Sequence, residues 1–247
     1  MVYKQFASIY DELMKHAPYD QWTKFTEEII KQYQIPVERI VDLGCGTGEV
    51  TIRLGKLGFD LTGIDQSNEM LTIAFNKSIE QGLNIQWLLQ DIRKLSGFTD
   101  IDVFVCYCDV INYITDLDDV KEVFQRVYHS LKKNGIFIFD FHSIDYVDQF
   151  LSDKTFADVT DELTYIWECE RGERKGEMFH YLTFFQKVRE LYIRFDEVHH
   201  QRTYPLKDYQ RLLENCGFQK INFYADFNLK NDFSEENSER IFGVAQK

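Results

Sequence analysis

Apolar and polar positions divide the chain into alternating amphipathic helices and short buried strands. Over residues 19–34, Tyr19, Trp22, Phe25, Ile29 and Tyr33 recur at three- and four-residue steps, the spacing of one buried helix face. Pro36 ends that helix. RIVDLG (39–44) reads as a buried strand running into a glycine turn. A short helix over 47–56, a strand over 61–65, a helix over 67–79 and a strand over 85–91 follow. IDVFVCY (101–107) is almost continuously hydrophobic, as a strand covered on both faces would be. A helix over 118–131 has Lys132 and Lys133 at its negative end and Asn134-Gly135 as its stop. GIFIFDF (135–141) is a fifth buried strand.

This alternation predicts a doubly wound α/β sheet with helices on both faces. Its ligand site belongs at the carboxyl ends of the strands, near the reversal of strand order. The pattern changes after His142. Residues 163–170, 177–187 and 191–204 are long, alternating and aromatic, and ERGERKGE (170–177) is a hairpin connection with Gly172 and Gly176. They predict an antiparallel β extension. A helix stopped by Gly217, a strand over 220–227 and a closing strand over 240–247 then restore the α/β pattern. Residues 1–150 and 205–247 are thus expected to form one domain, with 151–204 inserted into it.

Composition narrows the partners. The 247 residues suit one domain with an insertion, and 44% hydrophobic with 28% charged residues is ordinary for a globular protein. The 21 Phe and 14 Tyr suit aromatic strands or a ring-lined pocket. With 41 acidic against 28 basic residues the formal charge is −13, which repels phosphate backbones and anionic membranes. No Lys/Arg cluster offsets it, so a small neutral or cationic substrate is favoured, with a short RNA as the alternative. Cys45, Cys106, Cys108, Cys169 and Cys216 form no CxxC pair and no zinc spacing. They read as reduced thiols in a cytoplasmic protein without a metal. Cys106 and Cys108 are expected on one strand face. The amino-terminal residues lack the apolar core of a signal peptide, and no stretch has the length of a membrane span.

The most informative segment is VDLGCGTGEV (41–50), which places Gly44, Gly46 and Gly48 between a strand and a helix. Glycine permits positive φ and close approach of backbone to a ligand; the alternative is a plain tight corner. A dinucleotide loop has G-x-G-x-x-G, whereas this one is G-x-G-x-G with Asp42 ahead of it. S-adenosylmethionine (SAM) has no phosphate. Its ammonium suits an acid, and its carboxylate suits backbone N–H groups. Asp42 therefore favours SAM over NAD. Asp65 ends the second strand, where a carboxylate can accept from ribose hydroxyls, or can serve as a helix cap in competition with Ser67. Asp91 ends the third, where it can accept from the adenine amine or stand as an exposed loop acid.

VDLGCGTG, GIDQSNEML, LLQDIRKL, CYCDVINYI and LKKNGIFIFDF together resemble the successive motifs of class I SAM-dependent methyltransferases. The resemblance spans roughly residues 37–141, with sheet closure after Leu206. It implies a Rossmann-like seven-stranded sheet of order 3-2-1-4-5-7-6 with the seventh strand antiparallel. It places Asp42, Gly44, Cys45, Gly46 and Thr47, in the loop that Gly48 closes, around the methionine half. Asp65 would hold the ribose, and Gln66 and Met70 would flank the adenosine. Gln90, Asp91 and Ile92 would frame the adenine, and Cys108, Asp109 and Asn112 would approach the sulfonium and the acceptor. FASIYDELM (6–14) and the β extension resemble a small-molecule and uncharacterised bacterial subgroup in which a tyrosine, here Tyr10, lies over the site as part of a lid.

Methyl transfer is an in-line displacement from a good leaving group, so alignment and water exclusion carry much of the catalysis. Tyr3, Tyr10, Trp22 and Tyr113 are candidates for ring contacts with the sulfonium, or for packing alone. His142, after the fifth strand, is the candidate general base; the alternative is a surface or capping role. His199 and His200 are neighbours on one strand and point to opposite faces, so they cannot share a metal. The expectation is methylation of a small-molecule acceptor with S-adenosylhomocysteine as product. The alternatives are a tRNA or rRNA methyltransferase and a non-catalytic SAM-binding module. The extension could line the acceptor pocket or form a homodimer interface.

Overall fold

The computed structural model describes residues 2–230 and 234–247, with the side chains of residues 2–5 and 8 outside the description. Seven strands form one sheet: β1 (Arg39–Leu43), β2 (Asp60–Asp65), β3 (Gln86–Leu89), β4 (Ile101–Cys106), β5 (Leu131–His142), β10 (Gln219–Ala225) and β11 (Arg240–Gln246). Their order is β10-β11-β5-β4-β1-β2-β3. Strands β1 to β5 are parallel, and β11 pairs antiparallel with both β5 and β10. Read from β3, this is the expected 3-2-1-4-5-7-6 order.

Side-chain alternation along each strand builds a core on both faces. Ile40, Val103, Val105, Ile136, Ile138 and Phe242 point one way, onto Trp22, Phe25 and Ile29 of helix α2 (Tyr19–Tyr33) and Ile52 and Leu54 of α3 (Glu49–Lys56). Val41, Leu43, Phe104, Phe137, Phe139 and Phe141 point the other way. They meet Val120, Val123, Phe124 and Val127 of α5 (Leu117–Ser130) and Tyr209, Leu212 and Leu213 of α7 (Leu206–Cys216). The helical faces were therefore legible as period-3.6 stripes and the strands as buried runs. Among the described residues, no helix is long and apolar enough to cross a membrane.

Between β5 and α7 the chain passes through α6 (Ile144–Tyr146) and builds a second, antiparallel sheet of order β6-β7-β8-β9. Its strands are β6 (Lys154–Val159), β7 (Leu163–Arg171), β8 (Glu177–Val188) and β9 (Leu191–Arg202). Strand β6 was not expected. Its side chains are mostly exposed and it is an edge strand, so it carries little of the apolar alternation that marks a half-buried one. One face of this sheet, with Leu163, Phe184 and Phe195, packs on Phe6, Ile9, Tyr10 and Leu13 of α1 (Val2–Leu13) and on Met70 of α4 (Asn68–Glu80). The amino-terminal helix is thus wedged between the second sheet and the carboxyl end of the first.

Candidate functional site

A cleft of about 670 Å³ opens at the carboxyl ends of β1, β2 and β4. It runs from the glycine loop to the inserted sheet. Its lining brings together Asp42, Gly44, Cys45, Gly46, Thr47, Asp65, Gln66, Met70, Gln90, Asp91, Ile92, Cys108 and Tyr10, thirteen positions singled out from sequence. Gly48, Asp109, Asn112 and His142 are not among the lining residues.

The loop folds by bracing itself. Gly44 and Cys45 N–H both donate to Ile64 O, Gly48 N–H donates to Cys45 O, and Gly46 N–H donates to Asp65 Oδ2 at 2.9 Å. The glycine N–H groups are therefore already engaged, contrary to the expectation that they serve a ligand carboxylate. The glycines act through shape. Gly46 has φ +53° and a Cβ there would meet no atom within 4 Å, whereas a Cβ on Gly48 would strike the Trp87 ring at 2.7 Å. Gly48 is a packing glycine between α3 and β3; Gly46 faces open cleft.

Each strand-end acid has a job within the protein. Asp42 accepts from Thr51 Oγ1 at 2.6 Å. Burial pushes its carboxyl up to about 7 against the Thr51 hydrogen bond, with Asp65 and Asp140 adding to the rise. Asp65 Oδ1 accepts from Ser67 N–H at 2.8 Å, while Ser67 itself caps α4 by accepting from Met70 N–H. The helix cap is thus Ser67 and not Asp65, which braces two backbone turns and lines the cleft. Burial raises its carboxyl against those backbone donors. Asp91 caps the turn over Ile92–Lys94 through Arg93 N–H and pairs with the Arg93 guanidinium at 2.7 Å, which lowers its carboxyl.

Tyr10 reaches the cleft because α1 is latched to the loop. Asp11 accepts from Thr47 Oγ1 at 2.6 Å and pairs with Lys77 of α4 at 3.0 Å. Burial raises the Tyr10 phenol well above its ordinary range, so it stays protonated and can donate but not act as a base. Burial likewise keeps the Cys45 and Cys108 thiols protonated. Tyr113 also lines the cleft, but Trp22 does not: its ring lies under the Arg240 guanidinium at 5.2 Å. Tyr3's side chain lies outside the described residues.

Behind the cleft sits a buried charge network. Strand β4 ends at Cys106, and Cys108 and Asp109 turn through positive φ (57° and 61°). Cys106 therefore packs in the α5-side core and Cys108 against the opposite one, not on one strand face. Asp140 holds the turn by accepting from Cys108 N–H (3.2 Å) and Asp109 N–H (2.9 Å), and from Trp22 Nε1 (2.6 Å). Arg240 pairs with Asp109 and, at 3.1 Å, with Asp140. His142 Nε2 pairs with Asp109 Oδ2 at 3.0 Å. Burial raises the Asp109 carboxyl, but Arg240 and His142 outweigh it and hold Asp109 well below the usual carboxylate range.

This network explains the departures from expectation. Because β5 pairs with β11 through His142↔Arg240, His142 is drawn to the Asp109 pair and not to the acceptor side of the cleft. Asp109 points at Arg240 for the same reason. Asn112 is fully buried, and neither atom of its amide has a partner among the described residues. Conversely, Phe6, Tyr19, Tyr107, Glu197, His199 and His200 line the cleft without having been singled out as site residues. Strand β9 reaches the cleft as the edge of the second sheet, and nothing local in its alternating pattern says so.

The cleft fits a sulfonium amino-acid nucleoside. Its volume suits a ligand of that size, and its lining is acidic on the loop side through Asp42, Glu49, Asp65, Glu69 and Asp91. Asp42 would take the ammonium, the open face of Gly46 the methionine chain, Asp65 the ribose, and Met70 and Ile92 the base. Asp65→Ala removes a ribose acceptor and the Gly46 brace together. It is expected to weaken SAM by about 1.5–3 kcal/mol, roughly ten- to 150-fold by calorimetry; an unchanged dissociation constant would remove Asp65 from the nucleoside.

The family described as "Methyltransferase domain" matches residues 40–135, which hold the loop, β1 to β4 almost entirely and the start of β5. A Bacillus subtilis (strain 168) protein named "Putative methyltransferase YqeM" is 44% identical over 248 residues, spanning 100% of this chain and 98% of its own. The crystal structure of a SAM-dependent methyltransferase from Clostridium acetobutylicum ATCC 824 is 33% identical. It superposes with TM-score 0.89 over 100% of this chain and 99% of that one. SAM-bound CalS10, an amino pentose methyltransferase from Micromonospora echinaspora, shares the fold at 13% identity, with TM-score 0.77 over 97% of each chain. Sequence along the whole chain, sheet order and cleft agree, and the chain belongs to the class I SAM-dependent methyltransferases.

Proposed function

We propose that the protein transfers the SAM methyl group to a small-molecule acceptor held between the glycine loop and the inserted sheet. One observation carries this reading: a single cleft is lined at one end by the loop residues and at the other by Phe6, Tyr10, Tyr113 and strand β9. Its volume suits a nucleoside together with a small partner. CalS10, which shares the fold, is named for an amino pentose, itself a small molecule.

SAM supplies an activated methyl on a sulfonium. The protein's own residues then align and shield. Asp140 fixes the Cys108–Asp109 turn, α1 covers the cleft through the Asp11 latch, and Tyr10 presents a protonated phenol beside the reacting region. His142 supports the turn through Asp109.

Calorimetry with SAM, S-adenosylhomocysteine and NAD tests the reading, together with a screen for methylated small molecules using labelled cofactor. SAM is expected to bind and NAD is not. Asp42 adds a pH signature. Its carboxyl near 7 exceeds its unfolded value, so the folded ligand-free protein keeps a proton that the unfolded chain has lost. Ligand-free stability therefore falls as pH rises from about 4 to about 7. An ammonium seated on Asp42 favours the ionised form, so SAM binding releases that proton. Affinity is expected to rise by up to about tenfold per pH unit between pH 5 and 7, then level off. A pH-independent affinity over that range would take Asp42 away from the ammonium.

A further inference from the structure

Among the described residues, strand β9 carries two buried polar atoms without hydrogen-bond partners. Glu197 is 6% exposed, and its Oε1 has no hydrogen-bond partner among the described residues. His199 Nε2 is likewise shielded from solvent and unpartnered. Both side chains lie on the sheet face that carries Phe195, because β9 pairs with β8 through Phe195↔Phe184, Glu197↔Leu182 and His199↔His180. Both line the cleft. Buried polar groups are almost always satisfied, so two orphans on adjacent same-face positions of a ligand cleft mark where a ligand should supply the partners.

We propose that Glu197 and His199 together seat the ammonium of an amine acceptor, and that His199 Nε2 is the base that removes its proton before methyl transfer. The inference rests on the small-molecule reading above and adds the chemical class of the acceptor and the identity of the base. Both orphan atoms are hydrogen-bond acceptors when His199 carries its proton on Nδ1, and an ammonium offers only donors. The Nδ1–H tautomer is compatible with Tyr113, whose Oη lies 3.1 Å from His199 Nδ1 and accepts its N–H in that form. Phe6 packs on the imidazole at a centroid distance of 5.3 Å and orients it. Burial lowers His199, so the ring is neutral and able to accept at neutral pH. Burial raises Glu197, a cost that a bound ammonium removes.

The step balances without a further reagent. The acceptor ammonium donates one N–H to Glu197 Oε1 and loses another proton to His199 Nε2. The freed nitrogen lone pair forms the N–CH3 bond as the C–S bond breaks, its electron pair remaining on sulfur. The imidazolium then returns its proton to water.

Ring-15N histidine NMR of the full chain, loaded with S-adenosylhomocysteine, tests the seat without turnover. The probes are methylammonium and a set of small primary and secondary amines, each compared with its hydroxyl counterpart. Amines are expected to shift the His199 Nε2 resonance, and the alcohols are not. Glu197→Gln should abolish that shift and raise the KM for a methylated amine about tenfold or more with kcat less affected. His199→Asn should lower kcat about 100-fold or more with little change in KM. SAM affinity should stay within about twofold in both variants, which also reports that they fold. Undisturbed His199 resonances, or a His199→Asn enzyme with wild-type kcat, overturn the inference. Methylation of the alcohols in place of the amines overturns it while leaving small-molecule transfer intact. A wild-type protein that binds SAM but methylates none of the compounds and shows no His199 shift overturns both.

Discussion

Gly46→Val is expected to yield a folded protein that no longer binds SAM. The new Cβ meets no protein atom within 4 Å, so the native packing is undisturbed. The backbone stays at φ +53°, where a β-branched residue carries strain of about 1–3 kcal/mol. That lowers Tm by about 2–12 °C in a chain of this size. The isopropyl group instead occupies the cleft where the methionine chain belongs, and affinity should fall more than about 100-fold. The neighbouring glycines make the contrast. A Cβ on Gly44 would lie 2.4 Å from Val110, and one on Gly48 2.7 Å from Trp87, so valine there should lower stability as well as binding. Thermal melts and calorimetry on the three variants separate the cases. A Gly46→Val protein with wild-type SAM affinity would show that the loop turns a corner and nothing more.

Arg240→Met is expected to be the most destabilising substitution outside the apolar core. Arg240 is the cation between Asp109 and Asp140, and all three side chains are largely buried. Removing it leaves two carboxylates facing each other in a dry site, a loss of about 3–5 kcal/mol. The corresponding fall in Tm is about 6–20 °C. The sign of the pH dependence is diagnostic. Without the guanidinium, burial and mutual repulsion raise the folded-state pKa of the pair, so the folded variant binds protons that the unfolded chain releases. The defect should therefore be smaller at pH 5 than at pH 8. Denaturant titrations at the two pH values check this, and a defect of equal size at both would mean that Arg240 acts by packing alone. The variant that remains folded should also bind SAM less tightly, since Asp140 then holds the positive-φ turn at Cys108 and Asp109 less firmly.

Much of this architecture could be read locally. An apolar stripe on α2 and the two-sided hydrophobic run of β4 each express a period within a dozen residues. Asn134-Gly135 is not the expected helix stop, because α5 ends at Ser130 and both residues lie within β5. The glycine loop and the acids at Asp42, Asp65 and Asp91 were visible for the same reason, because strand, turn and helix are consecutive there. Strand β6 escaped because an exposed edge strand does not need the alternation that makes a half-buried strand recognisable.

The sequence by itself determined the doubly wound sheet, the place of the glycine loop at its carboxyl edge and the strand-end acids that line one half of the cleft, since all depend on neighbours in the chain. The partners of Asp109 and the lining of the acceptor side were decided only by tertiary structure. Arg240 lies 131 residues from Asp109, and His199 86 residues from Tyr113. Strand register decides that the face of β9 carrying Phe195, Glu197 and His199, and not the face carrying His200, packs toward α1, and a shift of one residue would exchange the two faces. Local periodicity fixes which face of an element is apolar; only the packing of distant elements fixes what that face, or its polar exceptions, will meet.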